Sequence, residues 1–299
     1  MPFKIQVGPQ QISIHQGQTV LVSEPDGQIK WPSEKGLYFR DTRILSSWAI
    51  YANGELWELL NGGAINYYSC RIVLTNRSLP SEDGTIPERT IGLTIGRSIA
   101  GGLHEDIDLT NHGMKRVRFQ LEIAPRCDFA DVFEVKSGRI VRRGRVTTDW
   151  SEARQELRTT YRNADFSRAL AISVARSPTR AVAANGRLSF EVILEPGETW
   201  HCCLLYALAD GDVTLPAPPH CTFSAEKPEH AETMADWLES VVKIRTSNEE
   251  FYRLFRQALE DMAVDSPLVV LFEEDSADEP NDGLVVGSNE ALFKFENPL

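Results

Sequence analysis

The sequence predicts a mainly β protein, a large antiparallel sandwich followed by one or two C-terminal helices. Three observations lead there. About a dozen short segments carry strand periodicity, Asn-Gly, Pro-Gly and Gly-Gly turns punctuate them, and helical spacing begins only after a proline-rich stretch that starts near residue 211.

The best-specified element is the run 116–135. Val117, Phe119, Leu121 and Ile123 alternate with Arg116, Arg118, Gln120 and Glu122, the period of a strand with one face in a core and one in water. Pro125 has no N–H to give and ends that ladder. Asp128, Asp131 and Glu134 follow among Phe129, Val132 and Phe133. Carboxylates beside aromatics could be the paired acids of a glycosidase, one kept protonated and one ionised. A structural role is favoured, because Arg126, Arg139, Arg142 and Arg143 stand nearby to pair with them.

Before this run, residues 11–22 read as a hairpin turning at Gln16 and Gly17, Pro25 to Gly27 as a turn, and Trp31 with Pro32 as an irregular loop. In 36–60, Ile44, Trp48 and Ile50 lie on one face and Leu45, Ala49 and Tyr51 on the other, so one strand covered on both sides is expected. Asn53 and Gly54 then make a hairpin turn, since both tolerate positive φ. Arg40, Asp41 and Arg43 precede that strand at a loop, where binding groups tend to gather, with a local ion pair as the plainer reading. After an apolar strand over 66–74 and a polar linker over 75–88, Gly101 and Gly102 join two alternating runs. Leu103, Glu105, Ile107 and Leu109 take one face; His104, Asp106, Asp108 and Thr110 take the other, expected to be the wet side although His104 with Asp106 and Asp108 could bind a metal or a sugar.

Strands are further expected over 139–146, 155–161, 167–175, 187–194 and 199–208. The domain boundaries that follow are a β-sandwich over 1–210, a Pro-rich linker over 211–227, a helical segment over 228–264 and an acidic tail over 265–299. Ser247 with Glu250 forms a capping box ahead of Phe251, Leu254, Phe255 and Leu259, a broad apolar stripe. In the tail, 268–272 and 284–286 admit two short strands.

Charge and composition exclude several classes. The net charge is −12, and the residues from Asp265 onward hold nine acids against one lysine, so the body is near neutral. Nucleic acid is not expected as a partner, since phosphate binding needs clustered Lys and Arg. Arg139, Arg142, Arg143 and Arg145 mark a solvated hairpin without the aromatics that stack bases. No apolar run suits a leader peptide or a membrane span, so a soluble cytoplasmic protein is expected. Five cysteines show no CxxC spacing, and Cys202 and Cys203 point to opposite faces of a strand, a poor shared metal site. Neither a metal nor a cofactor is expected. Phosphate-loop, HExxH and GxSxG motifs are absent, and His201 beside Cys202 diverges from it on a strand.

Three stretches carry a family resemblance: GLYFRDTRILSSW at 36–48, APRCDFADVFEVKSG at 124–138 and LEPGETW at 194–200. Together they resemble the N-terminal domain of bacterial glycogen debranching enzymes of the amylo-alpha-1,6-glucosidase type, over roughly residues 11–264. The resemblance implies a β-supersandwich that precedes an (α/α)6 toroid, with the glucosidase acids on the toroid. The residues after 264 offer no such barrel, so no catalytic residue is carried over. Asp128, Asp131 and Glu134 belong to the family's sandwich signature.

The first functional expectation is therefore a non-catalytic N-terminal-type module that binds or positions an α-glucan, or docks on a glucosidase catalytic domain. Its substrate-binding candidates are Arg40, Asp41, Arg43, Asp128, Asp131 and Glu134. A second is a stand-alone glycoside hydrolase acting on α-1,6 linkages through two of Asp41, Asp106, Asp128, Asp131 and Glu134. A third is a structural protein whose helical stripe is covered by a second copy.

Overall fold

The structure, a computed structural model, describes residues 10–81, 84–221 and 229–265. The chain divides into two units, Met1–Ala225 and Glu226–Leu299. In the first, β1 (Ile12–Gln16) and β2 (Thr19–Ser23) form the expected hairpin, and β3 (Gly36–Phe39) and β4 (Thr42–Ser47) a second one. β5 (Ile50–Ala52) and β6 (Glu55–Leu56) turn at Asn53 and Gly54, whose φ values of 47° and 81° are those the dipeptide favours. Next come β7 (Glu58–Asn66), β8 (Ser69–Thr75), the short pair β9 (Leu79–Ser81) and β10 (Gly84–Ile86), and the long hairpin β11 (Ile91–Ala100) and β12 (Gly102–Asn111). β13 (Val117–Ile123) leads through β14 (Arg126–Asp131) into the one-turn helix α1 (Val132–Ser137). β15 (Arg145–Ser151), β16 (Glu156–Asn163), β17 (Phe166–Arg176), β18 (Val182–Ala184), β19 (Arg187–Leu194), β20 (Thr199–Asp210) and β21 (Val213–Leu215) complete the unit.

These strands make three main antiparallel sheets. The largest runs β15-β16-β17-β20-β12-β11-β8-β7, with β21 added on β20; the others run β18-β19-β13-β5-β6 and β1-β2-β3-β4-β14. In the second, β13 lies between β19 and β5, with Phe119 opposite Val192 and Leu121 opposite Phe190, all four buried. The alternation of β13 thus puts one apolar row into the core, as its period requires. One apolar core joins all three sheets, through Ile14 and Leu21 from the first hairpin, Leu121 and Phe190 from the β13 sheet, and Ile72, Leu93 and Ile107 from the largest. Burial of this kind is the dominant favourable term in folding.

Three expectations are corrected. Residues 44–50 are not one strand: β4 ends at Ser47, Trp48 pairs with Ile29, and the chain resumes as β5 in a different sheet. Both faces are apolar because the segment crosses between sheets. Likewise 55–60 divides between β6 and β7, again in different sheets. Residues 139–144 are not strand; β15 begins at Arg145, since α1 and its left-handed cap Gly138 redirect the chain first.

The second unit contains α2 (Glu229–Ser240) and α3 (Glu249–Asp265). The expected capping box at Ser247 is not formed. Asn248 Oδ1 instead accepts from Phe251 N–H at 3.0 Å, which is the N-cap role that a short amide side chain fills well. Phe251, Leu254 and Met262 are exposed on α3. The two tail strands expected over 268–272 and 284–286, and Pro228, lie outside the described residues. No helix among the described residues is long and apolar enough to cross a membrane.

The largest sheet buries an ion pair. Arg97 on β11 stands opposite Glu105 on β12, both at most 1% exposed, with Arg97 Nε 2.8 Å from Glu105 Oε1. Arg97 Nη1 donates to Gly27 O at 2.7 Å, Tyr206 O–H to Glu105 Oε2 at 2.6 Å, and Trp48 Nε1–H to Tyr206 Oη at 3.0 Å. Burial works against the Arg97 charge, but the neighbouring carboxylate more than offsets it and raises the pKa. Burial, with the Glu105 charge, also holds the Tyr206 phenol well above its ordinary value, so it remains a donor. Removing one partner leaves the other charge in the core, which costs about 3–5 kcal/mol. Glu105→Gln is expected to lower stability by about that much in urea unfolding. The double change Arg97→Met with Glu105→Leu is expected to cost less than either single change, and additive losses would contradict a coupled pair.

Candidate functional site

The Arg-Asp-Thr-Arg turn and the octet DFADVFEV meet because β4 pairs with β14, Thr42 opposite Asp131 and Arg43 opposite Ala130. The register shifts between Cys127 and Ala130, and at this bulge Phe129 takes a φ of 52°. A left-handed backbone at a bulky residue costs on the order of 1–3 kcal/mol and survives only where its surroundings hold it. Here Phe129 is buried against Tyr161 of β16, ring centroids 5.7 Å apart and 24° between planes. The same bulge brings Asp128 to Arg43, a residue 1% exposed: Nη2 to Oδ2 is 2.5 Å and Nε to Oδ1 is 3.3 Å. Arg43 Nη1 also donates to Ser33 O at 2.5 Å.

The other candidates have partners too, in more exposed settings. Asp131 caps α1, its Oδ1 accepting from Phe133 N–H at 2.8 Å. Glu134, in the first turn of α1, pairs with Arg143. Asp41 accepts from Arg168 Nη1 at 3.0 Å and from Thr42 Oγ1 at 3.1 Å, while its carbonyl accepts from Val132 N–H at 2.8 Å. Arg40 turns the β3–β4 loop with a φ of 54° and reaches Asp210 Oδ2 at 2.8 Å and Gln18 Oε1 at 2.9 Å. The pairs are long-range, not the local Arg–Asp pair the turn suggested.

Asp41, Asp128, Asp131 and Glu134 come together around one cleft of about 190 Å³, walled also by Tyr161, Phe166, Arg142 and Arg143. Arg40 and Arg43 are not in its lining. Sequence reasoning missed Tyr161 and Phe166, which arrive from the β16–β17 hairpin. It also placed Arg142 and Arg143 on a solvated hairpin, whereas they border the cleft. The chemistry offered is carboxylate acceptors beside aromatic faces. Cys127 supplies no nucleophile, since burial pushes its thiol up to about 12.

A second polar group was read as the wet side of β12. His104 and Asp106 are each 1% exposed and cluster with Cys203 and Cys221, donors of the kind that hold metal ions. The face is covered because the chain after β21 lies along it: Gly102 N–H donates to Pro216 O at 2.8 Å, and His104 Nδ1 lies 2.7 Å from Pro218 O.

A family model described as the N-terminal domain of (some) glycogen debranching enzymes matches residues 14–205. No curated protein matches the chain. Among solved structures, a candidate aldose 1-epimerase of Escherichia coli K12 is similar at 12% identity, over 68% of this chain and 100% of that one, with a TM-score of 0.40. A candidate kojibiose phosphorylase from the human microbiome is similar at 9% identity over 84% of this chain, with a TM-score of 0.47, and this chain spans 35% of it. A galactose mutarotase-like protein of Clostridium acetobutylicum shares 6% identity over 66% of this chain and 94% of that one, at a TM-score of 0.34. Likenesses this distant assign no activity, and the family match carries the weight.

The Asp41 carboxyl yields a pH prediction. Burial works to raise its pKa, but the hydrogen bond and charge of Arg168 win and hold it below the usual carboxylate value. A carboxyl with a depressed folded-state pKa stabilises above its unfolded value of about 3.9, and that contribution is lost as pH falls through the folded value. Asp41→Asn is therefore expected to melt lower than the parent at pH 7, with the gap closing below about pH 4. Circular dichroism melts across pH 2–8 check this; a gap that persists unchanged at pH 2 would contradict it.

Proposed function

The chain belongs to the family of N-terminal domains of glycogen debranching enzymes, and from that premise we propose that it is a non-catalytic carbohydrate module holding an α-glucan in the cleft beside α1. The observation that carries this reading is the composition of that cleft. Asp41, Asp128, Asp131 and Glu134 share it with Tyr161 and Phe166. Sugar hydroxyls donate to carboxylates, and the C–H face of a pyranose lies on an aromatic ring, so few polar groups and one or two rings suffice to orient a glucan. Phe166 is 43% exposed, which leaves ring surface for such a contact.

The fixed partners of the carboxylates favour binding over hydrolysis. A glycosidase needs one acid kept protonated and a second free to attack or to activate water. Asp128 is tied to Arg43, Glu134 to Arg143, and Asp131 to the first turn of α1. Such pairing holds the carboxylates in place, which preorganises acceptors at little further entropic cost.

Calorimetric titration with maltohexaose and co-sedimentation with glycogen test the proposal. Binding in the millimolar range or tighter is expected. Phe166→Ala is expected to weaken it about tenfold, or about 1.4 kcal/mol, while leaving the melting temperature near that of the parent. Absence of binding to both glucans would remove the reading, and release of glucose from a limit dextrin by this chain alone would overturn its non-catalytic part.

A further inference from the structure

The face of β12 opposite Glu105 carries a cluster separate from the cleft. β12 and β20 pair with Asp106 opposite Cys203 and Asp108 opposite His201, so His104, Asp106, His201 and Cys203 share one face. The strap that follows β21 brings Cys221 onto that face. His104 Nε2 is 3.1 Å from Asp106 Oδ1, Cys203 Sγ is 3.3 Å from the same oxygen, and Cys203 Sγ is 3.6 Å from Cys221 Sγ. One donor atom from each of His104, Asp106, Cys203 and Cys221 lies within 4.8 Å of the other three.

These spacings suit a tetrahedral ion. Nitrogen and oxygen ligands at about 2.0–2.2 Å and sulfur at about 2.3 Å put neighbouring donors roughly 3.3–3.8 Å apart around zinc. The imidazole is already oriented. Pro218 O can only accept, so His104 Nδ1 carries a proton and donates to it, while Nε2–H donates to Asp106 Oδ1 in the metal-free protein; a metal that displaces this second proton meets the Nε2 lone pair already facing the carboxylate and the thiols. A backbone carbonyl holding the far nitrogen is the usual support of a metal-bound histidine. His201 stands beside the cluster, Nε2 3.0 Å from Cys203 Sγ and Nδ1 2.7 Å from Asp108 Oδ1, so a carboxylate fixes it as well.

We propose that His104 Nε2, Asp106 Oδ1, Cys203 Sγ and Cys221 Sγ form a structural zinc site that fastens the strap over β12 and β20. Two sulfurs and an imidazole select zinc over magnesium or calcium, which prefer oxygen alone. Coordination converts both thiols to thiolates and releases their two protons, with the proton of His104 Nε2, to solvent, with no change in oxidation state. His201 positions Cys203 and is not a ligand. Because the ion bridges two sheet strands and the strap, its binding energy is folding energy for that segment.

The full chain, purified with reductant and stripped with chelator, is titrated with Zn2+ against a chromophoric competitor. About one equivalent per chain is expected, with a rise in melting temperature, and Co2+ in its place is expected to give the intense visible bands of a tetrahedral thiolate site. Cys221 is half-buried at the end of the strap, so Cys221→Ser keeps the sheets intact, as circular dichroism can verify, and is expected to lose at least about a hundredfold in affinity. His201→Ala is expected to keep the equivalent of zinc with affinity lowered about 10–100-fold. Three results would overturn the proposal: no Zn2+ bound at micromolar concentration, binding unaltered in Cys221→Ser, or a Cys203–Cys221 disulfide in protein purified without reductant and free of zinc.

Discussion

A guanidinium and a carboxylate that are both shut away from water, Arg97 and Glu105, set the geometry on which the rest of the sandwich depends. They face each other across β11 and β12, in the middle of the largest sheet. Left alone they would be a liability, since desolvation of two charges can exceed their attraction. Their remaining hydrogen bonds remove it by drawing in other parts of the chain. Tyr206 comes from β20, Trp48 from the crossing between β4 and β5, and the Gly27 carbonyl from the turn after β2. Trp48 also lies under the guanidinium, 4.3 Å from ring centre to carbon. Gly27 must be glycine there: its φ is 78°, and a Cβ would meet the Ile72 side chain at 2.8 Å. A slip of one residue between β11 and β12 would strand both charges, so the polar network specifies register where apolar packing alone would tolerate error.

Much of this architecture was legible in the sequence, for local reasons. The alternation of Val117, Phe119, Leu121 and Ile123 needs only one buried face, and Asn53-Gly54 needs only its own backbone preferences; both appear as read. Illegible were the places where the chain changes sheet. Nothing within residues 44–50 says that Leu45 and Ile50 belong to different ladders, because that is decided by where β14 and β13 lie, some eighty residues later. Glu105 was a missed signal. A single acid in the apolar row Leu103, Ile107 and Leu109 is the mark of a buried, paired charge.

The cleft was half legible for the same reason. The octet and the Arg-Asp-Thr-Arg turn already contained its four acids, and the structural roles favoured for Asp128, Asp131 and Glu134 match the partners found, though Arg43 came from outside the cluster of nearby arginines. The rings could not be foreseen, since Tyr161 and Phe166 face the bulge only once β16 and β17 are stacked beside it. The strain at Phe129 has a purpose in this arrangement. A regular β14 would keep its side chains alternating above and below the sheet, and Asp128 and Asp131 would not both reach the edge where α1 begins. One left-handed residue, held by the Tyr161 ring, re-aims them together.

β12 shows why alternation is ambiguous in a sheet of this size. Its apolar row and its polar row look like the two faces of a half-wet strand, and that inference fails because β11 and β20 flank it while the strap covers the polar side. Water is thereby taken from His104 and Asp106, and their hydrogen bonds must be found within the protein. The strand consequently carries buried polar groups on both faces: Glu105 answered by Arg97 and Tyr206, His104 and Asp106 answered by Pro218 and Cys203. An apolar residue would be cheaper at each of these positions if packing were the only demand. That the chain keeps polar groups on both faces of its most central strand argues that they tie the sheet to segments outside its ladders, the Gly27 turn on one side and the 216–221 strap on the other.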